Sequence, residues 1–579
     1  MTAMDGATVH DKPSRAAGGR TARGDGALAA AWVGSIGVGL IAFGLCLWRL
    51  MPGFGFWDTA EFQTVLPVMG TAHPTGYPTY VLLGWLASLV LTPIGEPALR
   101  INVLSAILVG FGAGLTVDLA RRLTGSLVLG IVTGLGVALT PIVWAIGLQA
   151  DPHALHFTLL VLILWLLVRW EHARPGDPAI PDTAPGDARR ADRWLIAAAA
   201  VTGLSTGNHS LTLLLGPPII LYVLAVARGI LRRPRLIAMC LAAAAIPAVL
   251  VRMEMVLRAG WFKAPFVYAN PSTWDGFWYV TSGQQFHGWL TDPLGDWPRR
   301  IADLSKIAGQ EFGLLAPLVV IALVVTAVRQ PRYALLSGSA AAITCFFNSV
   351  YPDGAIDRYY IGPALLAWTW LAILGATVVE ALLGSVGGSY ARPAEVPADV
   401  AAAEPDPWSS RPRGGGLFER LGSPDLLRGV GLIVAAVVLL APSLSALPQR
   451  ATTVDRSQDR SAQTWTNEVL AALEPNAVVV SWWSYSTPLW YATIVDGRRP
   501  DITIIDDRNR LDLNLGDLDN VIASYLPTRP VYLIRNDPGD LEQVAKSYNV
   551  SPIGASTASN VFRVTAKAAA ALPASGAGT

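Results

Sequence analysis

The stretch LAAAWVGSIGVGLIAFGLCL, residues 28–47, decides the fold class of this 579-residue chain. It contains no charged side chain, and a helix needs about 20 apolar residues to cross the hydrocarbon layer of a membrane. Similar apolar runs recur at 103–119, 236–251 and 430–447. Hydrophobic residues make up 52% of the chain and charged residues 15%, so the apolar excess has to face lipid. The sequence therefore predicts a mainly α-helical, polytopic membrane protein.

Composition excludes two other classes of protein. A net charge of +1 gives no basic surface for nucleic acid. The three cysteines lie inside apolar runs, where a small buried thiol is the ordinary interpretation. No disulfide framework is therefore predicted.

The distribution of lysine and arginine predicts the orientation in the membrane, because short cytoplasmic loops retain cations. Residues 51–99 contain neither residue type. The cationic clusters lie at 121–122, 169–193, 228–235, 329–332 and 392–428. The tail 1–27, which is expected to be disordered, and these clusters are therefore placed in the cytoplasm, and 51–99 on the extracytoplasmic side of the membrane.

Eleven transmembrane helices follow from this orientation. The segment 76–94 is apolar, but counting it as a crossing would place every later cluster outside, so we lay it along the outer interface. The transmembrane core is 28–382, followed by a disordered cytoplasmic linker at 383–428 and the last helix at 429–448. The predicted helices are 28–50, 100–119, 126–147, 153–170, 194–208, 210–228, 235–253, 311–328, 333–350, 359–382 and 429–448.

Residues 449–566 predict a small α/β domain outside the membrane. Trp465, Val469 and Leu473 recur at helical spacing, and the strand-like runs 477–481, 501–505 and 531–535 follow. Helical stretches near 517–525 and 540–548 suggest a small, mostly parallel sheet. The Ala-rich end, 567–579, is expected to be disordered.

Ionisable residues gather on the predicted outer side. That placement weighs against a carrier, which tends to hold such groups near the bilayer midplane within an internal repeat. It does not by itself exclude a transporter or a non-enzymatic membrane protein that binds a partner. The outer set comprises His73, His153, His156, His209, His287, Asp58, Glu61, Asp151, Asp353 and Asp357.

The first outer loop carries two candidate catalytic carboxylates, Asp58 and Glu61. Three residues apart, they share one face of a helical turn. Either carboxylate could serve as a base or as a metal ligand, because apolar surroundings would raise its pKa and a bound cation would lower it. Alternatively, Asp58 caps a short interfacial helix and Glu61 is solvated.

Further polar residues form candidate binding groups. His73-Pro74-Thr75-Gly76-Tyr77-Pro78 predicts a turn in which the prolines fix backbone angles. His153 and His156 share a helical face, which makes a divalent metal possible but not favoured. In the loop 252–307, Arg258 and Lys263 stand among aromatic residues, where they could bind a lipid phosphate or belong to an interfacial belt.

These residues also carry a family resemblance. Asp58-x-x-Glu61 followed by His73-Pro74-x-Gly76-Tyr77-Pro78 resembles the signature of the protein O-mannosyltransferase-like membrane family. Gly207-Asn208-His209, Asn270-Pro271-x-Thr273-Trp274, and Arg499-Pro500-Asp501 after Pro475-Asn476-Ala477 are similar to the family as well.

The resemblance implies a GT-C glycosyltransferase of a bacterial inner membrane that moves a sugar, expected to be mannose, from a polyprenyl-phosphate donor to a hydroxyl acceptor outside the membrane. Asp58 is the expected base, and Glu61 would orient it or the acceptor. The acceptor is a protein Ser or Thr, or else an envelope glycan or lipid. The expected substrate-binding residues are His73, Tyr77, Asn208, His209, Arg258, Lys263, Trp274 and Arg358.

Overall fold

The structure of the chain is a computed structural model that describes residues 15–174, 187–288, 290–293, 295–351, 354, 356–388 and 424–567. Most of the predicted tails 1–27 and 567–579 and of the predicted linker 383–428, together with Asp353, lies outside these residues. Helix α1 already begins at Arg15, and α15 continues to Gly388.

The membrane part of the chain is a bundle of helices, as predicted. The helices are α1 (Arg15–Arg49), α2 (Trp57–Val68), α3 (Pro78–Val90), α4 (Pro97–Thr124), α5 (Leu127–Ala138), α6 (Pro141–Ile146), α7 (Pro152–His172), α8 (Asp187–Thr206), α9 (Gly216–Val226), α10 (Pro234–Gly260), α11 (Trp274–Ser282), α12 (Trp297–Phe312), α13 (Ala316–Arg329), α14 (Pro331–Val350), α15 (Ile361–Gly388) and α16 (Pro424–Ser445).

Within the described residues, eight helical stretches are long and apolar enough to cross a membrane. The central ones, α4 and α7, are mostly buried, whereas α1, α10 and α16 expose most of their apolar side chains, as lipid-facing helices do. The eight are Leu28–Arg49, Pro97–Thr124, Pro152–His172, Pro234–Gly260, Trp297–Arg329, Pro331–Val350, Ile356–Gly384 and Asp425–Ser445.

Each predicted crossing contains a helix, but several differ in detail. The predicted helix 126–147 is broken between α5 and α6, where Pro141 starts a new helix. Arg450 donates to the carbonyl of Leu139 (2.8 Å) and Glu311 accepts from the amide of Ile142 (3.0 Å), so the backbone groups freed by the break have partners. The predicted helix 311–328 corresponds to α13, and a short 3-10 turn at Gly313–Leu315 separates it from the preceding α12.

The segment 76–94 forms a short helix. Helix α3 has 13 residues, which at 1.5 Å per residue is about 20 Å, less than the hydrocarbon thickness of about 30 Å. It packs against α2, α4 and α10.

The C-terminal residues form a five-stranded sheet with helices around it. The strand order is β2-β1-β3-β5-β4, with β1 parallel to β2 and β3 and the pairs β3–β5 and β4–β5 antiparallel. The parallel part was predicted, but the antiparallel hairpin was not. The elements are α17 (Leu447–Val454), α18 (Ser461–Ala472), β1 (Val478–Ser481), α19 (Trp483–Trp490), β2 (Thr503–Asp506), α20 (Asn509–Asp512), α21 (Leu518–Tyr525), β3 (Val531–Ile534), α22 (Pro538–Ser547), β4 (Tyr548–Pro552) and β5 (Val561–Ala566).

Candidate active site

A cavity of about 1340 Å³ lies between the helix bundle and the C-terminal sheet. Its walls come from the segment after α1, the start of α7, the turn at 209–214, the residues 282–288, the end of α14 with Tyr351, the residues 358–359, and the loops that follow β1 and β2. Of the predicted site residues, it is lined by Asp58, His73, Tyr77, His209 and Arg358.

Arg358 joins two carboxylates at the cavity wall. Its Nη2 lies 3.1 Å from Asp58 Oδ2 and its Nη1 lies 3.2 Å from Asp151 Oδ2. Asp58 lies in the first turn of α2 but makes no cap hydrogen bond, since the N-cap residue is Phe56. The interpretation of Asp58 as a helix cap is therefore wrong. Its carboxylate is held at the cavity by Arg358.

Asp151 is the N-cap of α7 and is buried. Its Oδ1 accepts hydrogen bonds from the backbone N–H (2.9 Å) and the Nδ1–H (2.7 Å) of His153. Burial alone would raise the pKa of Asp151, but His153 and Arg358 outweigh it and lower that pKa to about 2. Asp151 is thus a fixed anion that anchors Arg358 beside Asp58.

Glu61 lies behind His73 and is fully buried, so it is not the solvated group of the alternative interpretation. Its Oε1 accepts from the backbone N–H of His73 (2.7 Å), and its Oε2 accepts from the ring Nδ1–H (2.5 Å). Burial alone would lower the pKa of His73, but Glu61 raises it to about 9. The partner of Glu61 is therefore a protonated histidine.

The predicted turn around Gly76 is present. The amide of Gly76 donates to the carbonyl of His73 (2.7 Å), and Gly76 has φ +79°. A Cβ there would lie 2.4 Å from Met255 Sδ, so this position needs glycine for both backbone angle and space. The turn places Tyr77 at the cavity with its hydroxyl 3.3 Å from His73 Nε2.

Asn208 and His209 occupy the turn after α8. Asn208 donates to the carbonyl of Pro152 (3.1 Å), which ties this turn to the start of α7. Burial and the neighbouring His153 keep the pKa of His209 well below its usual value, and its Nδ1 accepts from the amide of Leu211 (3.2 Å). His209 is therefore neutral and lines the cavity, whereas Asn208 positions the wall.

Besides Asn208, three further predicted binding residues lie away from the cavity lining. The Arg258 guanidinium donates to the carbonyls of Val68 and Met69 (2.8 Å each), a structural role at the end of α2. Lys263 and Trp274 are exposed on the loop and helix that follow α10.

The C-terminal sheet supplies cavity residues that the sequence did not single out. Trp482 and Trp483 follow β1, while Asp507 and Arg508 follow β2. Arg508 stacks over Tyr279, with its guanidinium carbon 4.2 Å from the ring centroid. The sequence could have indicated these residues, because ligand sites of parallel sheets lie at the carboxyl ends of the strands and these residues directly follow two predicted strands.

One group in the described residues has the spacing of a metal site. Asp58, Glu61 and His73 each offer a ligand atom, and these atoms lie within 4.8 Å of one another. Both carboxylate oxygens of Glu61 already accept from His73, and a protonated His73 cannot ligate a metal. A cation bound here would have to take the place of these hydrogen bonds and of the His73 proton.

The two C-terminal motifs that resemble the family, at 475–477 and 499–501, contact each other beside the sheet. Arg499 pairs with Asp501 (2.8 Å) and donates to the carbonyls of Leu470 and Leu473, and Asp501 accepts from the amide of Asn476 (2.9 Å). These residues brace the end of α18 against β2 and lie outside the cavity.

The fold and this placement of the cavity define a class, polytopic membrane proteins of the GT-C fold, which confirms the predicted fold class. ArnT from Cupriavidus metallidurans, in a structure with undecaprenyl phosphate, has the same overall fold: TM-score 0.57, 16% identity, covering 90% of this chain and 96% of that one. The apo ArnT structure gives TM-score 0.52 at 14% identity, covering 95% of this chain and 98% of that one.

The family resemblance is confirmed for the first part of the chain. Residues 58–229 match the model of the protein O-mannosyl-transferase TMEM260 N-terminal domain. The mouse protein O-mannosyl-transferase TMEM260 is 33% identical over 131 residues, 23% of this chain. The matching part spans 18% of the mouse protein's length.

Proposed function

We propose that this protein is a glycosyltransferase that transfers mannose from a polyprenyl-phosphate donor to a hydroxyl group, foremost a Ser or Thr of a protein, on the extracytoplasmic face of a bacterial inner membrane. The observation that carries the proposal is Asp58, an ion-paired carboxylate on the wall of a cavity of about 1340 Å³, within the segment that matches the O-mannosyl-transferase model.

Asp58 serves as the general base. Arg358 engages its Oδ2, and Oδ1 takes the proton of the acceptor hydroxyl. As that proton moves, the acceptor oxygen bonds to the anomeric carbon of the sugar, and the bond from that carbon to the phosphate oxygen breaks. Phosphate is a good leaving group, so no separate general acid is needed. A single displacement of this kind inverts the anomeric configuration.

Cationic groups at the cavity stabilise the departing phosphate. The guanidinium groups of Arg358 and Arg508 line it, and the raised pKa of His73 keeps a third positive charge there at neutral pH. Preorganised charges of this kind lower the energy of a transition state in which negative charge develops. The ArnT structure was determined with undecaprenyl phosphate, which supports a polyprenyl-phosphate donor for this chain.

The extracytoplasmic placement rests on the cation distribution. The cavity is lined by the loop between α1 and α4, and residues 51–99 contain no lysine or arginine. Since cytoplasmic loops retain cations, this loop and the cavity belong on the opposite side.

The test uses purified full-length protein in lipid nanodiscs. It is supplied with polyprenyl-phosphate mannose and with a Ser/Thr peptide or an envelope glycan, and the products are identified by mass spectrometry. Mannose on the peptide, absent with Asp58→Asn, is the expected result. Mannose on the glycan alone would show that the acceptor is an envelope glycan and not a protein. No glycosidic bond with any acceptor, together with movement of a substrate into vesicles, would favour a transporter.

A further inference from the structure

A second cleft, of about 480 Å³, shares a wall with the main cavity. Trp57 lines both spaces. Asp58 follows Trp57 directly, and consecutive Cα atoms are about 3.8 Å apart. The second cleft therefore adjoins, through Trp57, the main cavity that Asp58 lines.

Aromatic rings form the floor of this cleft. Phe56 packs against Trp465 (ring centroids 5.7 Å apart) and Tyr485 (5.8 Å), and those two rings are 5.2 Å from each other. Trp57 is 60% exposed and has φ +58°, a left-handed conformation that is costly for a bulky residue. Such strain is typical of functional positions, where surrounding structure maintains it.

The polar lining of the cleft is uncharged and contains an unused donor. Asn560 accepts from Trp465 Nε1 through Oδ1 (3.1 Å), while its buried Nδ2 has no partner. Asn536 donates to the Tyr485 hydroxyl (2.7 Å), which leaves that hydroxyl's own proton free to donate elsewhere. Among the described residues that line the cleft, none is charged.

We propose that this cleft is the acceptor subsite, and that its occupant is an extended, uncharged polypeptide segment rich in Ser, Thr and Pro. Aromatic grooves with amide donors bind extended chains, because prolines pack on the rings and backbone carbonyls accept the hydrogen bonds. A charged side chain would lose its water here without finding a partner. The proposal rests on the proposed function and names its acceptor.

Thr464 offers a test that changes the charge of the cleft without touching the base. It is an exposed residue of α18 on the cleft lining, so Thr464→Glu can fold. Binding of a fluorescent, uncharged Ser/Thr/Pro peptide to the full-length protein in nanodiscs is measured by anisotropy. The variant should bind this peptide about tenfold more weakly, and a matched peptide carrying one Lys more tightly than the unaltered protein does.

The control is Thr528→Glu, which adds the same charge at an exposed site outside the cleft and should leave both affinities unchanged. Equal affinities for Thr464→Glu and the unaltered protein would overturn the proposal. It would also be overturned if a neutral oligosaccharide bound in this cleft and the peptide did not.

The failure of this inference is distinguishable from failure of the proposed function. Sugar transfer to a glycan with no peptide binding would reject the peptide subsite but would support the glycosyltransferase activity. If peptide binding responds to Thr464→Glu but no lipid-linked donor gives sugar transfer, the peptide subsite is supported and the proposed glycosyl transfer is rejected.

Discussion

Arg358 Nη2 lies 3.1 Å from Asp58 Oδ2, although 300 residues separate the two in the chain. The pair joins the start of α2 to the segment just before α15 at the wall of the cavity. The second nitrogen of Arg358 reaches Asp151, so the guanidinium is held from two directions. This arrangement fixes the position of the proposed base before any substrate binds.

Asp58→Asn should lower the rate of sugar transfer by about 10²–10⁴-fold, the usual contribution of a general base. The amide keeps the shape of the side chain but cannot take a proton. The measurement is product formation by mass spectrometry with equal amounts of folded protein. Glu542→Gln, which changes an exposed carboxylate of α22 outside the cavity, is the control and should retain full activity. Full activity of Asp58→Asn would reject Asp58 as the base.

Arg358→Gln should destabilise the protein as well as reduce transfer. Asp151 has a side chain only 2% exposed, and losing one partner of a buried ion pair costs about 3–5 kcal/mol. Thermal unfolding in detergent should show a clear fall in Tm. Arg329→Gln breaks an exposed pair with Glu380 and should change stability by at most about 1 kcal/mol. Similar Tm values for the two variants would contradict the bridging role.

His73 should make stability depend on pH in the alkaline range. The pKa of His73 is raised from 6.5 to about 9 in the folded state, so its stabilising contribution is complete below pH 6.5 and is lost as the pH rises through about 9. The Tm difference between the unaltered protein and His73→Gln should therefore shrink between pH 6.5 and 9.5. A difference that grows over this interval would show that Glu61 does not hold a protonated His73.

Gly76→Ala should distort the turn that places His73 and Tyr77. The new Cβ would meet Met255 Sδ at 2.4 Å in a backbone conformation that L-residues disfavour by about 1–2 kcal/mol. We expect a lower Tm together with weaker binding of the lipid-linked donor. Gly309→Ala, where a Cβ would meet nothing within 4 Å, is the matched control. Equal Tm values for the two variants would show that the turn tolerates a side chain.

The sequence predicts the helices well because a membrane requires long apolar runs. It also identifies Asp58, His73, Tyr77 and His209 as cavity residues, since these lie in local motifs near helix ends. Local patterns could not distinguish Arg358, which reaches two carboxylates, from Arg258, which caps backbone carbonyls. That difference depends on which distant segment each side chain meets.

Two other parts of the site depend on long-range packing. Spacing placed Glu61 beside Asp58 on one helical face, whereas its partner is His73, 12 residues further along the chain. Arg508 reaches the cavity because the sheet packs over the helix bundle, and no local motif near it indicates that contact. The hairpin of β4 and β5 was missed because its residues lie mostly at or near the surface and lack an apolar run.

The loops after β1 and β2 close the cavity, which sets an order of events during synthesis. A ribosome that has released only the first 450 residues has already produced the carboxylate of Asp58 and the guanidinium of Arg358. The wall that contains Trp483 and Arg508 does not yet exist at that stage. The cavity is thus complete only when the chain has been made beyond Arg508, and a product terminated before β1 would carry Asp58 and Arg358 in an open, water-filled recess.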